Sequence, residues 1–389
     1  MLDLANLQRA TGHDVEFFAM AHPDNLPARF ESHFPPFVPL DPPPAGLGAR
    51  LTTAATMLYS AKAARSMAAV VDEFRPDIVH LHNIYHQLSP SILAPLAKRK
   101  IPVVMTVHDY KPVCPSYRLL DQDGPCTACV EGHVWQAVKR RCKDGSLPAS
   151  LVLAIESGAH RLTNAYGSVS RLLAPSEFLA DLLLRGGLGD DRVRHIPNFV
   201  DSAAIKARQG SGDGFVSIGR LSSEKGVDTA IRAIGLLPGS RLTVAGDGPL
   251  RQELETLASS VAPGRVEFVG HVGKAEVTAL NEGAVAAVLA ARWHENMPLS
   301  VLETMAAAVP MVVSGLGGLP ELIQHGVEGL VVPADNPETL AAALGQLLAD
   351  PAAAAAMGSA ARAKAIANHD PSNHLARLFE LYEEAAFSR

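Results

Sequence analysis

The sequence predicts an α/β protein with two doubly wound domains, each built around a parallel sheet. Strand-like apolar segments alternate with helical segments along nearly the whole chain, which is typical of parallel sheets covered by helices on both faces. Around residues 208–214 the composition turns to Gly, Ser and Asp, which indicates a linker between two such runs. With 389 residues and 48% hydrophobic content, the chain is long enough for two cored domains.

The first predicted domain covers residues 1–207. A helix runs through "LDLANLQRATG" and a strand follows at "VEFFAM", while the proline-dense residues 34–48 cannot be regular structure. One helix is then expected through "MLYSAKAARSMAAVVDEF", followed by the strands "DIVHLHN", "PVVMTVHDY" and "LLAPS" with helices between and after them.

The second predicted domain covers residues 208–370. Its strands are "FVSIG", "RLTVAG", "VEFVG", "AAVLAA" and "PMVVSG", each followed by a helix. The Ala-rich residues 351–386 keep helical periodicity, and residues 371–389 form a C-terminal helix that we expect to pack back on the first domain. Ligands of such sheets bind at the carboxyl ends of the strands, so the loops after these strands are the candidate site.

Charge and hydropathy argue against a nucleic-acid-binding protein and against a membrane-spanning one. The net charge of -6 provides no overall basic field, so no nucleic-acid partner is expected. Basic clusters at residues 98–100 and 139–143 indicate either a solvated face or contact with anionic lipid. No apolar run is long enough to span a bilayer and no signal-peptide layout is visible, so we expect a cytoplasmic protein, peripheral at most at the inner face of the membrane.

The segment "HENMPLSVLETMAAAVP" carries two carboxylates eight positions apart, Glu295 and Glu303. Eight residues leave two side chains about 80° out of line on one straight helix. Pro298 is favoured at a first helical position, which predicts Glu295 in the preceding loop and Glu303 about a turn inside the helix. The two acids either stabilise the helix dipole, by about 0.3–1 kcal/mol each, or bind a ligand.

Cations and glycines follow neighbouring strands of the second domain. After "FVSIG" come Arg220 and Lys225, which suit a diphosphate but could also be surface cations. Gly246 and Gly248 follow "LTVAG", although Arg251 replaces the third glycine of a dinucleotide fingerprint, so this signal is weak. Gly317 and Gly318 follow "PMVVSG". All these loops fall at one edge of the predicted sheet.

These motifs resemble retaining GT-B glycosyltransferases of family 4. Glu295 and Glu303 match the family's E-x7-E signature, and "IGRLSSEKGVDTAI", "VAGDGPLRQEL", "LAPSEFLADLL" and "IPNFVD" resemble its other landmarks in the expected order. The resemblance implies two Rossmann-like domains facing across a cleft, with a UDP- or GDP-linked sugar held mainly by the second. It implies a glycan or lipid-linked acceptor, and retention at the anomeric carbon with no cofactor required for catalysis.

The resemblance also implies residue roles. Arg220 and Lys225 would bind the diphosphate, Glu303 the ribose and Glu295 the donor sugar, while His108 would reach the sugar from the first domain. The catalytic set is therefore Glu295, His108, Arg220 and Lys225. The donor-binding set is Gly219, Arg220, Lys225, Gly246, Gly248, Asn296, Met297, Pro298, Leu299, Glu303, Gly317 and Gly318.

Two departures from the family pattern are visible. Ala308 stands where the family commonly has glycine, which we interpret as a mild change in helical context. The family's first strand and its glycine-rich turn are also absent before the first helix. A natural chain that starts earlier than Met1, or another segment that fills the place of the strand, would explain this.

All four cysteines fall within an insertion at residues 112–145. Cys114, Cys126, Cys129 and Cys142 follow the spacing C-x11-C-x2-C-x12-C. One interpretation is a structural zinc site, because thiolates in a C-x2-C pair favour tetrahedral zinc, and the other is four buried free thiols. Both remain open.

The sequence therefore predicts a glycosyltransferase for polysaccharide, glycolipid or related glycoconjugate synthesis. Two alternatives use the same architecture: a nucleotide-sugar epimerase, and a donor-binding protein without turnover.

Overall fold

The structure is a computed structural model that describes residues 1–38 and 45–387. It divides into two compact units. Unit 1 comprises Met1–Pro175, Ala180–Ile196 and the residues from Leu375 onward, and unit 2 comprises Ser176–Leu179 and Pro197–His374.

Unit 1 contains a parallel sheet of four strands in the order β1-β2-β3-β4. The strands are β1 (Val79–His82), β2 (Val103–Thr106), β3 (Arg171–Ala174) and β4 (Val193–His195). Its helices are α1 (Leu2–Ala10), α2 (Leu47–Leu58), α3 (Ala61–Phe74), α4 (Tyr85–Leu88), α5 (Leu93–Lys98), α6 (Gln136–Lys139), α7 (Leu147–Leu162) and α8 (Glu177–Arg185). All four residues of β2 are buried, as expected for an inner strand covered on both faces.

Unit 2 contains a parallel sheet of six strands in the order β10-β9-β8-β5-β6-β7. The strands are β5 (Phe215–Ile218), β6 (Leu242–Ala245), β7 (Val266–Gly270), β8 (Ala286–Leu289), β9 (Met311–Ser314) and β10 (Gly329–Val332). The remaining helices are α9 (Val227–Leu236), α10 (Arg251–Val261), α11 (Lys274–Gly283), α12 (Leu299–Ala306), α13 (Leu319–Leu322), α14 (Pro337–Ala349), α15 (Pro351–Asn368) and α16 (Pro371–Phe387). The strand order reverses between β5 and β8, and ligands of doubly wound sheets bind at the carboxyl ends of strands beside such a reversal.

Three local expectations for the first half need correction. Residues 15–20, "VEFFAM", form no strand, because no described strand lies beside them to complete a ladder. The expected helix over residues 57–74 is two helices, since α2 ends at Leu58 and the Ser60 side chain caps α3 by accepting a hydrogen bond from the Ala63 N–H. The prediction that residues 34–48 are irregular is correct only in part, because α2 already begins at Leu47. Residues 39–44 lie outside the described part of the chain.

Residues 197–207, which the composition placed in the first domain, cluster with unit 2. Hydrogen bonds explain this: the Val200 N–H donates to the His369 carbonyl, and Arg362 donates to the Ile205 carbonyl at 3.0 Å. The helices α8 and α16 each begin in unit 2 and continue in unit 1.

Among the described residues, no single helix is long and apolar enough to cross a bilayer. Two consecutive helical segments, Pro337–Ala349 and Pro351–Phe387, together have the length and composition of a membrane span, but the chain bends by 102° between them.

Candidate functional site

The predicted cation and carboxylate of unit 2 form an ion pair. Lys225 lies in a 3-10 turn (Ser223–Lys225) after β5, and Glu295 lies in the loop after the neighbouring strand β8. The Lys225 Nζ is 2.7 Å from the Glu295 Oε1. The Glu295 side chain is only 5% exposed, so its charge is stabilised mainly by this partner.

Two polar groups in the loops that carry this pair have no partner among the described residues. Arg220 is exposed, and its guanidinium makes no hydrogen bond or ion pair within residues 1–38 and 45–387. The Trp293 Nε1–H is buried without an acceptor among the described residues, and the Trp293 ring lies 5.4 Å from the Lys225 Nζ. An unpaired cation and an unsatisfied indole donor are what an anionic, hydroxyl-rich ligand would use.

Glu303 lies in the second turn of α12 and is partly buried. Pro298 precedes this helix in an extended conformation, so α12 begins at Leu299, one residue later than predicted. Met297 is buried, and its carbonyl accepts a hydrogen bond from the Asn198 side chain at 2.9 Å. Glu295 lies before the helix and Glu303 lies inside it, as the sequence predicts.

Glycine is required where the loops of this edge touch. Gly317 has φ +64°, and a Cβ there would lie 2.1 Å from the Glu295 carbonyl oxygen. The next residue, Gly318, donates its N–H to that same carbonyl at 2.7 Å. Gly226, directly after Lys225, has φ +64°, and its Cβ would lie 1.9 Å from the Ala290 carbonyl oxygen. These glycines therefore press the loops after β5 and β9 against the loop after β8.

The loop that contains Gly246 and Gly248 packs on the loop after β5. The Leu221 N–H donates to the Asp247 carbonyl at 3.0 Å, and the Leu250 N–H donates to the Leu221 carbonyl at 3.1 Å. The Gly219 N–H likewise donates to the Ala245 carbonyl. The structure thus brings the glycine turn to the same edge as the cations.

Sequence reasoning missed Arg292, which follows β8. Its guanidinium donates to both carboxylate oxygens of Asp228, at 2.8 and 2.6 Å, and to Asp335. Its backbone N–H donates to the Glu224 carbonyl at 2.9 Å. Because Glu224 and Asp228 flank Lys225 and Gly226, Arg292 holds the lysine loop against β8. No single-sequence motif signals this role.

Glu321 was also missed as an anchor. Its carboxylate accepts hydrogen bonds from the N–H groups of Glu177 and Phe178, at 2.8 and 2.7 Å. Asn296, a predicted donor-binding residue, has its Oδ1 2.6 Å from the Ser176 Oγ. Residues 176–179 therefore join the same edge of unit 2.

In unit 1, His108 belongs to a stack of histidines. Its Nε2 lies 2.8 Å from the Nδ1 of His82, and His82 lies beside His80 with ring centroids 4.2 Å apart. Burial lowers the pKa of His108 to about 4 and lowers the pKa of His82 still further, helped by the neighbouring histidines. Near neutral pH, His108 is thus an uncharged imidazole oriented by His82, a residue that the sequence alone did not assign.

A buried ionic cluster lies directly after His108. Lys111 and Glu156 form an ion pair with 2.6 Å between Nζ and Oε2, and His86 adds a second contact to Glu156 at 3.2 Å. Burial would raise the pKa of Glu156, but the His86 hydrogen bond and the Lys111 charge outweigh it and hold this pKa at about 2. Burial raises the pKa of Asp109 to about 6, although the Lys111 N–H and charge oppose the shift.

The four cysteines are free thiols, of which Cys114 and Cys129 are buried. Burial, with the proximity of the other three thiols, raises the pKa of Cys129 to about 12. Among the described residues, no group of three or more His, Cys, Asp or Glu side chains is placed to hold a metal ion. Zinc binding by these residues stays a prediction.

Ala308 does not lie in helical context. The helix α12 ends at Ala306, and Ala308 has φ +57°, in the left-handed region that favours glycine. The interpretation of this residue as a mild change is therefore wrong.

Sequence comparison decides the family. The pattern described as "Glycosyltransferase Family 4" matches residues 1–204, more than half of the chain, and "Glycosyl transferases group 1" matches residues 203–364. The chain belongs to glycosyltransferase family 4. Its relatives include the glycogen synthase of Mycobacterium tuberculosis, 32% identical over 308 residues that cover 76% of this chain and 66% of that protein.

A second relative is a GDP-mannose-dependent alpha-(1-6)-phosphatidylinositol monomannoside mannosyltransferase of Mycolicibacterium smegmatis. It is 34% identical over 206 residues, covering 50% of this chain and 54% of that protein. The family 4 chain thus spans about half to two thirds of the length of these curated relatives.

Solved structures agree on the fold. Sucrose-phosphate synthase from Thermosynechococcus elongatus superposes with a TM-score of 0.73 at 19% identity, covering 98% of this chain and 91% of that one. The Anabaena HepE protein, solved in complex with UDP-glucose, gives a TM-score of 0.62 at 18% identity, with 82% of each chain covered. The fold class is therefore GT-B, as predicted.

Proposed function

We propose that this family 4 protein is a retaining glycosyltransferase that moves a sugar from a UDP- or GDP-linked donor to a hydroxyl of a glycan or lipid-linked acceptor. The observation that carries the proposal is the partly buried Lys225–Glu295 pair at the strand-order reversal of unit 2. Arg220, which has no partner among the described residues, lies in the same loop after β5 as Lys225. Two relatives, a glycogen synthase and a GDP-mannose-dependent mannosyltransferase, support the same reaction class.

The donor diphosphate would displace Glu295 as the main partner of Lys225. Its phosphate oxygens would take the Lys225 ammonium and the Arg220 guanidinium, and both cations would stabilise the negative charge that develops on the leaving diphosphate. The released Glu295 carboxylate would then accept hydrogen bonds from hydroxyls of the donor sugar. Arg292 would keep the lysine loop in place during this exchange.

The remaining predicted residues would act by positioning. Glu303, inside α12, would accept hydrogen bonds from the ribose hydroxyls. His108, as a neutral imidazole, would offer a hydrogen bond to the donor sugar without adding charge. Retention without a protein nucleophile is implied by the family, with the donor phosphate removing the acceptor proton.

Calorimetry with UDP and GDP tests the donor site. We expect wild type to bind at least one of them, and Arg220→Ala to weaken binding by about 1.5–3 kcal/mol, because a charge-assisted contact is lost. The matched control is Arg232→Ala, another exposed arginine that is unpaired within the described ranges, on α9. Equal affinities of all three proteins for both nucleotides would remove Arg220 from the site. Conversion of the donor alone, without acceptor, into an epimeric product would instead favour the epimerase alternative.

A further inference from the structure

The solvent-facing side of α7 is apolar along its whole length. Leu147, Leu151, Ile155 and Leu162 are 47%, 37%, 46% and 90% exposed. Their spacing of four, four and seven residues places them on one face of the helix. Val152, 37% exposed, widens the same face. A helix on the surface of a globular protein ordinarily carries polar residues there.

The inner side of α7 carries polar residues beside the apolar Leu153 and Ala154. Ser150, Glu156 and Ser157 are buried, and Glu156 is fixed there by its contacts with Lys111 and His86. The helix is therefore held with a carboxylate inside and leucines outside. The buried ion pair fixes this orientation, so the apolar face stays exposed, as is typical of an interaction surface.

Cations and a tryptophan lie in the segment that packs against α7. The helix α6, which packs on α7, is preceded by Trp135, 54% exposed. Lys139 and Arg141 are exposed and form no ion pair with any described residue. The acidic residues of this segment form ion pairs with other cations. Asp121 pairs with Arg140, and Asp144 pairs with Arg118 and Lys143.

We propose that this surface, formed by the outer face of α7 with Trp135, Lys139 and Arg141, docks on an anionic phospholipid bilayer. The leucine and isoleucine side chains would enter the boundary between head groups and acyl chains, where an amphipathic helix lies in the plane of the interface. Tryptophan favours the same depth, and the two free cations would meet lipid phosphates.

The charges favour a bilayer over a second copy of the chain. A twofold dimer through this surface would place the same patch on both partners, and its unpaired cations would add like charge to both sides. An anionic membrane complements the apolar face and the cations together. The proposal does not depend on the glycosyl-transfer reaction.

Vesicle cosedimentation of the full chain tests the proposal. We expect binding to vesicles of phosphatidylcholine mixed with phosphatidylglycerol, and little binding to phosphatidylcholine alone. The double variant Leu151→Gln/Ile155→Gln should weaken binding roughly tenfold or more, since two apolar side chains are lost from the interface. Lys139→Gln/Arg141→Gln should weaken it by about fivefold per cation.

The matched control is Leu236→Gln/Ile366→Gln, which changes two exposed apolar residues on helices of unit 2, 55% and 50% exposed. This control should bind as wild type does, and the melting temperatures of all variants should show that they fold. Absence of wild-type binding to the anionic vesicles would overturn the proposal, as would equal losses in the α7 variant and the control. A dimer that the α7 substitutions dissociate, without vesicle binding, would identify a second copy as the partner instead. Nucleotide binding by calorimetry is a separate measurement, so failure here leaves the proposed reaction intact.

Discussion

At the scale of single residues, the candidate site depends on charges that satisfy one another before a ligand arrives. The nearly buried Glu295 carboxylate has the Lys225 ammonium as a partner at 2.7 Å. Donor binding would then exchange one partner of Lys225 for another rather than desolvate a lone cation. The two glutamates of the E-x7-E motif therefore have different surroundings, and substitutions should show that they have different roles.

Glu295→Gln and Glu303→Gln should affect different measurements. Glu295→Gln is expected to lower kcat by about 100-fold or more, because a preorganised charge near the reacting sugar is lost, with less effect on nucleotide affinity. Glu303→Gln is expected to weaken nucleotide binding by about 1.5–3 kcal/mol. Steady-state kinetics and calorimetry distinguish the two. Normal activity and affinity in both variants would show that the carboxylates serve only the helix dipole.

Arg292 is predicted to be a positioning residue. Arg292→Met keeps the apolar stem but frees Asp228 and Asp335, so the Lys225 loop should loosen and nucleoside diphosphate affinity should fall roughly tenfold. Arg99→Met is the matched control, since Arg99 makes a similar two-bond pair with Asp72 in unit 1. Calorimetry should show loss in the first variant and none in the second. Unchanged affinity for Arg292→Met would show that the loop is held by other contacts.

At the scale of elements, close loop contacts shape the site more than the helices themselves. The loops after β5 and β9 both press on the loop after β8, and glycines at 226 and 317 permit this. The end of α12 shows the opposite situation. There the chain turns at a residue with left-handed backbone conformation, and that residue is Ala308 and not a glycine.

Ala308→Gly should therefore stabilise the protein. Glycine removes the steric strain of the left-handed Ala308, which stabilises the folded chain by roughly 1–2 kcal/mol. The greater conformational freedom of glycine in the unfolded chain offsets about 0.4–1 kcal/mol of this gain. We expect a net gain of about 0.5–1 kcal/mol, measured by urea unfolding. The control Ala306→Gly, at the last residue of α12, should destabilise instead. A loss of stability in Ala308→Gly would contradict the left-handed conformation.

At the scale of the whole molecule, buried titratable groups of unit 1 link stability to pH. The pKa of His108 is about 4 in the folded chain and near 6.5 when unfolded. Below pH 6.5 the unfolded chain binds a proton that the folded chain does not, so stability falls as the pH drops toward 4. Asp109, with its pKa raised to about 6, contributes the opposite slope, because its folded form binds the proton first.

Substitution of His108 isolates its share of this dependence. Between pH 7 and pH 5, His108→Gln should lose about 1–2 kcal/mol less stability than wild type, since Gln keeps a hydrogen bond to His82 but does not titrate. Exposed His271→Gln is the control and should follow the wild type. Urea unfolding at both pH values measures the difference. Parallel curves for all three proteins would show that His108 does not titrate as a buried group.

The sequence alone determined the class of fold and most of the candidate site. Alternation of apolar strands with helices is a local property, so it predicted two parallel α/β domains, the Ala-rich C-terminal helices and the loops that follow each strand. The loop position of Glu295 and the helical position of Glu303 followed from one proline.

Only the tertiary structure decided which of these residues meet. Lys225 and Glu295 are 70 positions apart, and they pair because β5 lies beside β8, an order that periodicity cannot reveal. The His82–His108 contact and the anchoring by Arg292 arise in the same way, from neighbouring strands and loops. "VEFFAM" has a strand pattern but forms no strand, because a strand also needs a neighbour to accept its hydrogen bonds. The orientation of α7 is the clearest case: both sides of this helix carry apolar residues, and the buried Lys111–Glu156 pair fixes which side faces out.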